Sequence, residues 1–86
     1  MRLVFTPNGW DDYRFWLARD RATLKRINRL IEESLREPFE GIGKPEPLRH
    51  ILAGCWSRRI DEEHRLVYLV DGEDLVILQA RFHYAP

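Results

Sequence analysis

Apolar and polar positions alternate with two different periods along this chain, and the change of period falls near its middle. Arg2 to Thr6 is a short β-type run that Pro7 ends. Trp10, Tyr13, Trp16 and Leu17 then recur at helical spacing, which predicts a short helix with an aromatic face. Asn8 reads as its N-cap, with Asp11 in the capping-box position three residues on. Asp20 can cap a second helix. There Leu24, Ile27, Ile31 and Leu35 form one apolar stripe bordered by Leu30 and Ser34, while Arg21, Lys25, Arg26 and Arg29 lie away from it. Pro38 ends that helix.

The period then shortens. Residues 40–47, Glu-Gly-Ile-Gly-Lys-Pro-Glu-Pro, read as a loop. Strands are predicted over Leu48–Leu52, Cys55–Ile60, His64–Val70 and Leu75–Phe82, with turns at Gly54, Asp61-Glu62-Glu63 and Asp71-Gly72-Glu73. A three-residue final loop would pair Val70 with Asp74. It would gather Leu66, Tyr68, Val70, Val76, Leu78, Ala80 and Phe82 on one face, leaving Arg65, Gln79, Arg81 and His83 on the other. The element order is β-α-α-β-β-β-β. The fold class is α+β, with two N-terminal helices packed on one face of an antiparallel sheet.

Composition changes this picture little. The 86 residues suffice for a single domain, residues 1–86, with a thin core to which three Trp, three Tyr and four Phe contribute much of the apolar area. Net charge is zero, from 14 basic and 14 acidic residues, so whole-chain charge does not mark a nucleic-acid binder. The kind of cation is more informative. Arg greatly outnumbers Lys, and guanidinium groups match phosphate oxygens bidentately. With Cys55 alone there is no intrachain disulfide. Neither a signal-type run nor a membrane-length apolar stretch is present, so a reduced cytoplasmic protein is expected.

RNA carries its own nucleophile, the 2′-hydroxyl. Cleavage by transesterification needs a base for that proton, an acid for the leaving 5′-oxygen, and cations for the charge on phosphorus. The chain offers Glu46 as carboxylate, His83 or His50 as imidazole, and Arg65 with Arg59, Arg49 and Lys44 as cations. Tyr84 could stack on an unpaired base or contact phosphate. Taken one at a time these are ordinary residues. Glu46 reads as a solvated loop carboxylate, Arg58-Arg59 as a pair straddling two faces, and Trp10 and Trp16 as core. No His/Cys spacing suits a metal, and Gly41-Ile42-Gly43-Lys44 falls short of a phosphate-binding loop.

Their order is more specific than any single residue. Pro38-Phe39-Glu40-Gly41, Gly43-Lys44-Pro45-Glu46-Pro47-Leu48, His50, Gly54, Trp56-Ser57-Arg58-Arg59-Ile60 and Glu62-Glu63-His64-Arg65-Leu66-Val67-Tyr68 follow one another along the chain. With Trp10-Asp11-Asp12-Tyr13 and the late His83-Tyr84, they resemble the YoeB (Txe/YoeB) toxins of the RelE superfamily across essentially the whole chain. The resemblance implies a microbial-ribonuclease-like, RelE-like fold. It also implies the toxin of a type II toxin–antitoxin pair: a metal-independent endoribonuclease without cofactor that cuts mRNA in the ribosomal A site. It assigns Glu46 as base, Arg65 as the phosphate-stabilising cation, His83 as general acid and Tyr84 as a substrate contact. Arg49, Arg59 and Lys44 would meet phosphate, and His50 and Glu63 would support the site. Expected partners are a cognate antitoxin, the ribosome with its mRNA, and a second copy of the chain. Arg49, Cys55 and the Ala85-Pro86 extension depart from the common family pattern. The competing reading is a non-catalytic superfamily member that poisons DNA gyrase by protein contacts.

Overall fold

The computed structural model describes residues 1–82. Strand β1 (Arg2–Phe5) leads into helices α1 (Pro7–Arg19) and α2 (Arg21–Arg36). Strand β2 (Glu46–Pro47), a 3-10 turn (His50–Leu52), and strands β3 (Trp56–Arg59), β4 (Arg65–Asp71) and β5 (Asp74–Gln79) follow. The five strands form one sheet in the order β1-β5-β4-β3-β2. Every pairing is antiparallel except that of β1 with β5, which is parallel and sets Arg2 against Asp74 and Phe5 against Ile77.

The two helices cover one face. Their buried Trp16, Ile27, Leu30 and Ile31 meet Leu66, Tyr68, Leu75, Ile77 and Ala80 from the sheet. A smaller apolar cluster of Leu48, Cys55 and Val67 sits apart from that core, with Leu52, Leu69 and Leu78 packed against it. Burial pushes the Cys55 thiol above its ordinary range, which suits a packing role and disfavours thiolate chemistry.

Helix α2 starts as expected, with the Asp20 side chain accepting from the Thr23 backbone N–H. Helix α1 starts earlier than its sequence suggests. Thr6, not Asn8, is the N-cap: its hydroxyl accepts from Gly9 N–H at 3.0 Å, and Pro7 occupies the first helical turn where an N–H would be unused. Asn8 instead donates through Nδ2 to the Leu78 carbonyl at 3.1 Å. Trp16 is core, and its indole N–H donates to the Ala80 carbonyl at 2.7 Å. Trp10 is not core; it is 46% exposed and stacks on Tyr13.

Two further expectations are corrected. Leu48–Leu52 forms no strand. The chain turns there through His50, at φ 59, and the 3-10 segment, and it returns at Gly54, at φ 96. Leu48 N–H bonds the Cys55 carbonyl across the mouth of this loop. The β4–β5 hairpin has a two-residue loop rather than three: Asp71 pairs with Asp74 and Val70 with Leu75. A register shift follows, with Tyr68 opposite Ile77 but Val67 opposite Gln79. Leu78 is the extra residue, so the alternation flips there. Leu75, Ile77 and Ala80 therefore face the helices with Leu66, Tyr68 and Val70, whereas Val76 and Leu78 do not.

Candidate active site on the open face of the sheet

Residues opposite one another on paired strands share a face. The register places Glu46 against Ser57, Ser57 against Val67, and Val67 against Gln79, in one row across four strands. Two residues along each central strand, Arg59 lies opposite Arg65. The neighbouring row of Pro47, Trp56, Tyr68 and Ile77 belongs to the helix side. Glu46, Arg59 and Arg65 thus project from the same, helix-free face.

Glu46 reaches this face because β2 is a two-residue edge strand, where its flanking prolines cost no needed ladder bond. Its carboxylate is exposed, with no hydrogen bond from the described residues. Arg65 is half-buried. Its Nη1 donates to the carbonyls of Asp61 (2.7 Å) and His64 (3.0 Å), which fixes the guanidinium at the base of the 61–64 turn. The turn is itself built by Asp61, whose Oδ1 accepts from the Glu63 and His64 N–H groups. No described residue engages the Nε or Nη2 of Arg65.

The remaining candidates lie around this set. Lys44, at φ 52, is exposed on the loop before β2, and Gly43 accepts from Arg59 N–H at 2.7 Å, tying that loop to the end of β3. Arg49 and His50 are exposed on the loop after β2. The Glu63 side chain is exposed, with Oε1 3.5 Å from His64 Nε2. His83 and Tyr84 lie outside the described residues. Arg81 was expected beside Arg65 on the open face. It turns instead towards α1, its guanidinium carbon 3.5 Å from the Phe15 ring centroid, because the strand ends at Gln79 and alternation no longer applies.

One important residue escaped the sequence reading. Arg58 is wholly buried on the helix side. Its guanidinium donates to Tyr68 Oη and to the carbonyls of Glu37, Glu40 and Ile42. Tyr68 Oη in turn donates to the Pro38 carbonyl. An arginine beside an exposed arginine carries no mark of this role. The only available signal was the turn-rich stretch 37–43, whose inward carbonyls need donors.

The assembled face offers a carboxylate on an edge strand, two guanidinium groups on the central strands, and further cations on the flanking loops. Such a set can take a proton from a hydroxyl and balance charge on a phosphate. Among the described residues no cluster of His, Cys, Asp and Glu could hold a metal ion, and no helix is long and apolar enough to cross a membrane.

Comparison with known proteins agrees with this architecture. Residues 5–84 match the family model of the YoeB-like toxin of bacterial type II toxin–antitoxin systems. The chain is 58% identical to the toxin YoeB of Streptomyces coelicolor over 84 residues, covering 98% of this chain and all of that protein. A YoeB/ParE toxin from Agrobacterium tumefaciens superposes with a TM-score of 0.95 at 52% identity, over 98% of this chain and 100% of that one. YoeB of Staphylococcus aureus, solved as a dimer and in complex with YefM, superposes at 0.90 and 0.89, with 41% and 40% identity and 98% of each chain covered. With a family model spanning nearly its whole length and an α+β fold shared with solved members, the chain belongs to the YoeB-like toxins of bacterial type II toxin–antitoxin systems.

Proposed function

We propose that this toxin is a ribosome-dependent mRNA endoribonuclease that cleaves the message in the A site and so stops translation. The observation that carries the reading is the common face of Glu46, Arg59 and Arg65, free of the helices. Glu46 takes the proton of the 2′-hydroxyl as that oxygen attacks phosphorus. Arg65, with Arg59, Arg49 and Lys44, balances the charge on the phosphoryl oxygens. His83 gives a proton to the departing 5′-oxygen, which leaves a 2′,3′-cyclic phosphate on the upstream fragment. Tyr84 holds the substrate, and Glu63 and His50 support the site. The reaction uses no metal and no cofactor.

The partners follow from this reading: the ribosome with its mRNA, an antitoxin of the YefM kind, and a second copy of the chain. The Staphylococcus aureus structures, a YoeB dimer and a YoeB–YefM complex, support the last two. Action on ribosomes places the protein in the cytoplasm.

Purified toxin added to programmed ribosomes should cut the A-site codon, and Glu46→Gln should abolish the cut. Glu46→Gln cutting as fast as wild type would remove the assigned chemistry. Inhibition of gyrase supercoiling without mRNA cleavage would replace the nuclease reading with the gyrase-poison one.

A further inference from the structure

Residues 60–64 join β3 to β4, and the side chain of Asp61 organises this turn from within. Its Oδ1 accepts from the backbone N–H of Glu63 at 2.8 Å and from that of His64 at 2.7 Å. The His64 carbonyl closes the turn by accepting the Ile60 N–H at 3.0 Å. A short carboxylate can hold a turn in this way because it reaches the N–H groups two and three residues ahead.

The bonds of Asp61 have a second effect, on the residue that follows the turn. With residues 61–64 held, the carbonyls of Asp61 and His64 converge on Arg65 Nη1 at 2.7 and 3.0 Å, with that of Glu62 at 3.4 Å. The Arg65 guanidinium is thus folded back over a turn that Asp61 shapes. Directly across the strands stands Arg59, which is exposed. Like charges in that relation push one another apart, and an arginine side chain has ample rotamer freedom to comply. Carbonyl dipoles hold Arg65 in place against that push.

We infer that Asp61 is a positioning residue: by shaping the turn whose carbonyls hold Arg65 Nη1, it fixes that guanidinium for the charge that develops on the scissile phosphate. The inference rests on the proposed part of Arg65 in cleavage. A cation stabilises a transition state best when it is already in place, since nothing then has to reorganise as the charge grows. An arginine free to swing must be ordered afresh at each encounter, and misplaced groups cost rate steeply. Asp61 acts only through Arg65.

The test is a double-mutant cycle on mRNA cleavage by programmed ribosomes with toxin in excess. Asp61→Ala should lower the saturated rate about 10-fold, with the toxin concentration for half-maximal cutting unchanged. A residue that served the fold alone would behave otherwise: partial unfolding raises that concentration and leaves the saturated rate as it was. Asp61→Asn keeps Oδ1 and should recover most of the rate. In an Arg65→Ala background, Asp61→Ala should add no further loss. A wild-type rate in Asp61→Ala, an Asn variant no better than Ala, or an equal loss in both backgrounds overturns the positioning role and leaves the nuclease reading standing. An Arg65→Ala toxin that cuts at the wild-type rate refutes the part given to Arg65, and the inference with it. Wild-type protein supplies a check that needs no variant to fold. The Nη1 protons of Arg65 should give an NMR signal separate from those of Nη2, and one averaged signal, the mark of a rotating guanidinium, sinks the inference by itself.

Discussion

Arg58 Nε donates to Tyr68 Oη at 3.1 Å inside the core, and together the two side chains hold the carbonyls of residues 37, 38, 40 and 42. A buried guanidinium with no ion-pair partner among the described residues is instead satisfied by a ring of carbonyl dipoles and a phenol. Removing it leaves several inward carbonyls without donors. Arg58→Met should therefore cost about 3 kcal/mol in urea denaturation, and Tyr68→Phe about 1–2 kcal/mol. In both, amide protection should fall first in residues 37–44. An Arg58→Met protein as stable as wild type would show that this loop does not depend on the hub.

The opposite arrangement occurs on the open face. Arg59 and Arg65 are direct cross-strand partners. Like charges in that relation oppose one another. Arg59→Thr should stabilise the protein by a few tenths of a kcal/mol at low ionic strength, with the gain fading as salt is added. The same change should slow mRNA cleavage. Stability and activity moving in the same direction would argue that the two cations are not held together for an anionic substrate.

Gly9 illustrates how close α1 comes to the sheet. A Cβ at this position would stand 2.2 Å from the Ile77 carbonyl oxygen. That carbonyl is backbone, so it cannot turn aside. Gly9→Ala should destabilise by about 3 kcal/mol, although alanine is the better helix former. Thermal or urea unfolding of that variant measures the approach directly, and a neutral result would mean that α1 sits farther from β5.

Two aspartates should respond to pH with opposite signs. The Thr23 backbone N–H, and then its hydroxyl, hold the Asp20 carboxyl below the usual aspartate range. Its contribution is present above the unfolded-state value, about 3.9, and is lost as pH falls through the lower folded value. Burial raises the Asp12 carboxyl despite its bond from Ala80 N–H. There the folded state favours the protonated form, so stability declines as pH rises from about 3.9 through the raised folded value. Urea titrations between pH 7 and pH 3 should show the advantage of wild type over Asp20→Asn shrinking towards acid. Asp12→Asn should compare better with wild type at pH 7 than at pH 3. Parallel curves for the two variants would contradict both assignments.

The regular parts of the fold were legible because local signals agreed with tertiary ones. The stripe of Leu24, Ile27, Ile31 and Leu35, the Asp20 cap and the run Arg65–Val70 each carry their own period or cap. The misreadings occur where a distant group decides. Thr6 became the cap because Pro7 is suited to the first helical turn and because β5 gives Asn8 another partner. A bulge at Leu78 allowed a two-residue loop without turning Ala80 to the open face, and pattern alone cannot distinguish that from a three-residue loop. Trp10 is aromatic and correctly spaced, yet β1 and α2 leave its flank open. On the open face, Glu46 and Arg65 were legible chiefly through their order in the chain. The carbonyls that fix Arg65 and the burial of Arg58 exist only once the turns have formed.

The parallel pairing of β1 with β5 has a consequence for the timing of folding. Arg2 finds its place beside Asp74, so β1 has nothing to pair with until residues 74–79 have been made. Closing so long a loop is slow compared with forming either helix. The sheet that carries Glu46 and Arg65 is therefore completed late, and a ribosome engaged in making the toxin faces an unfinished sheet for most of that synthesis.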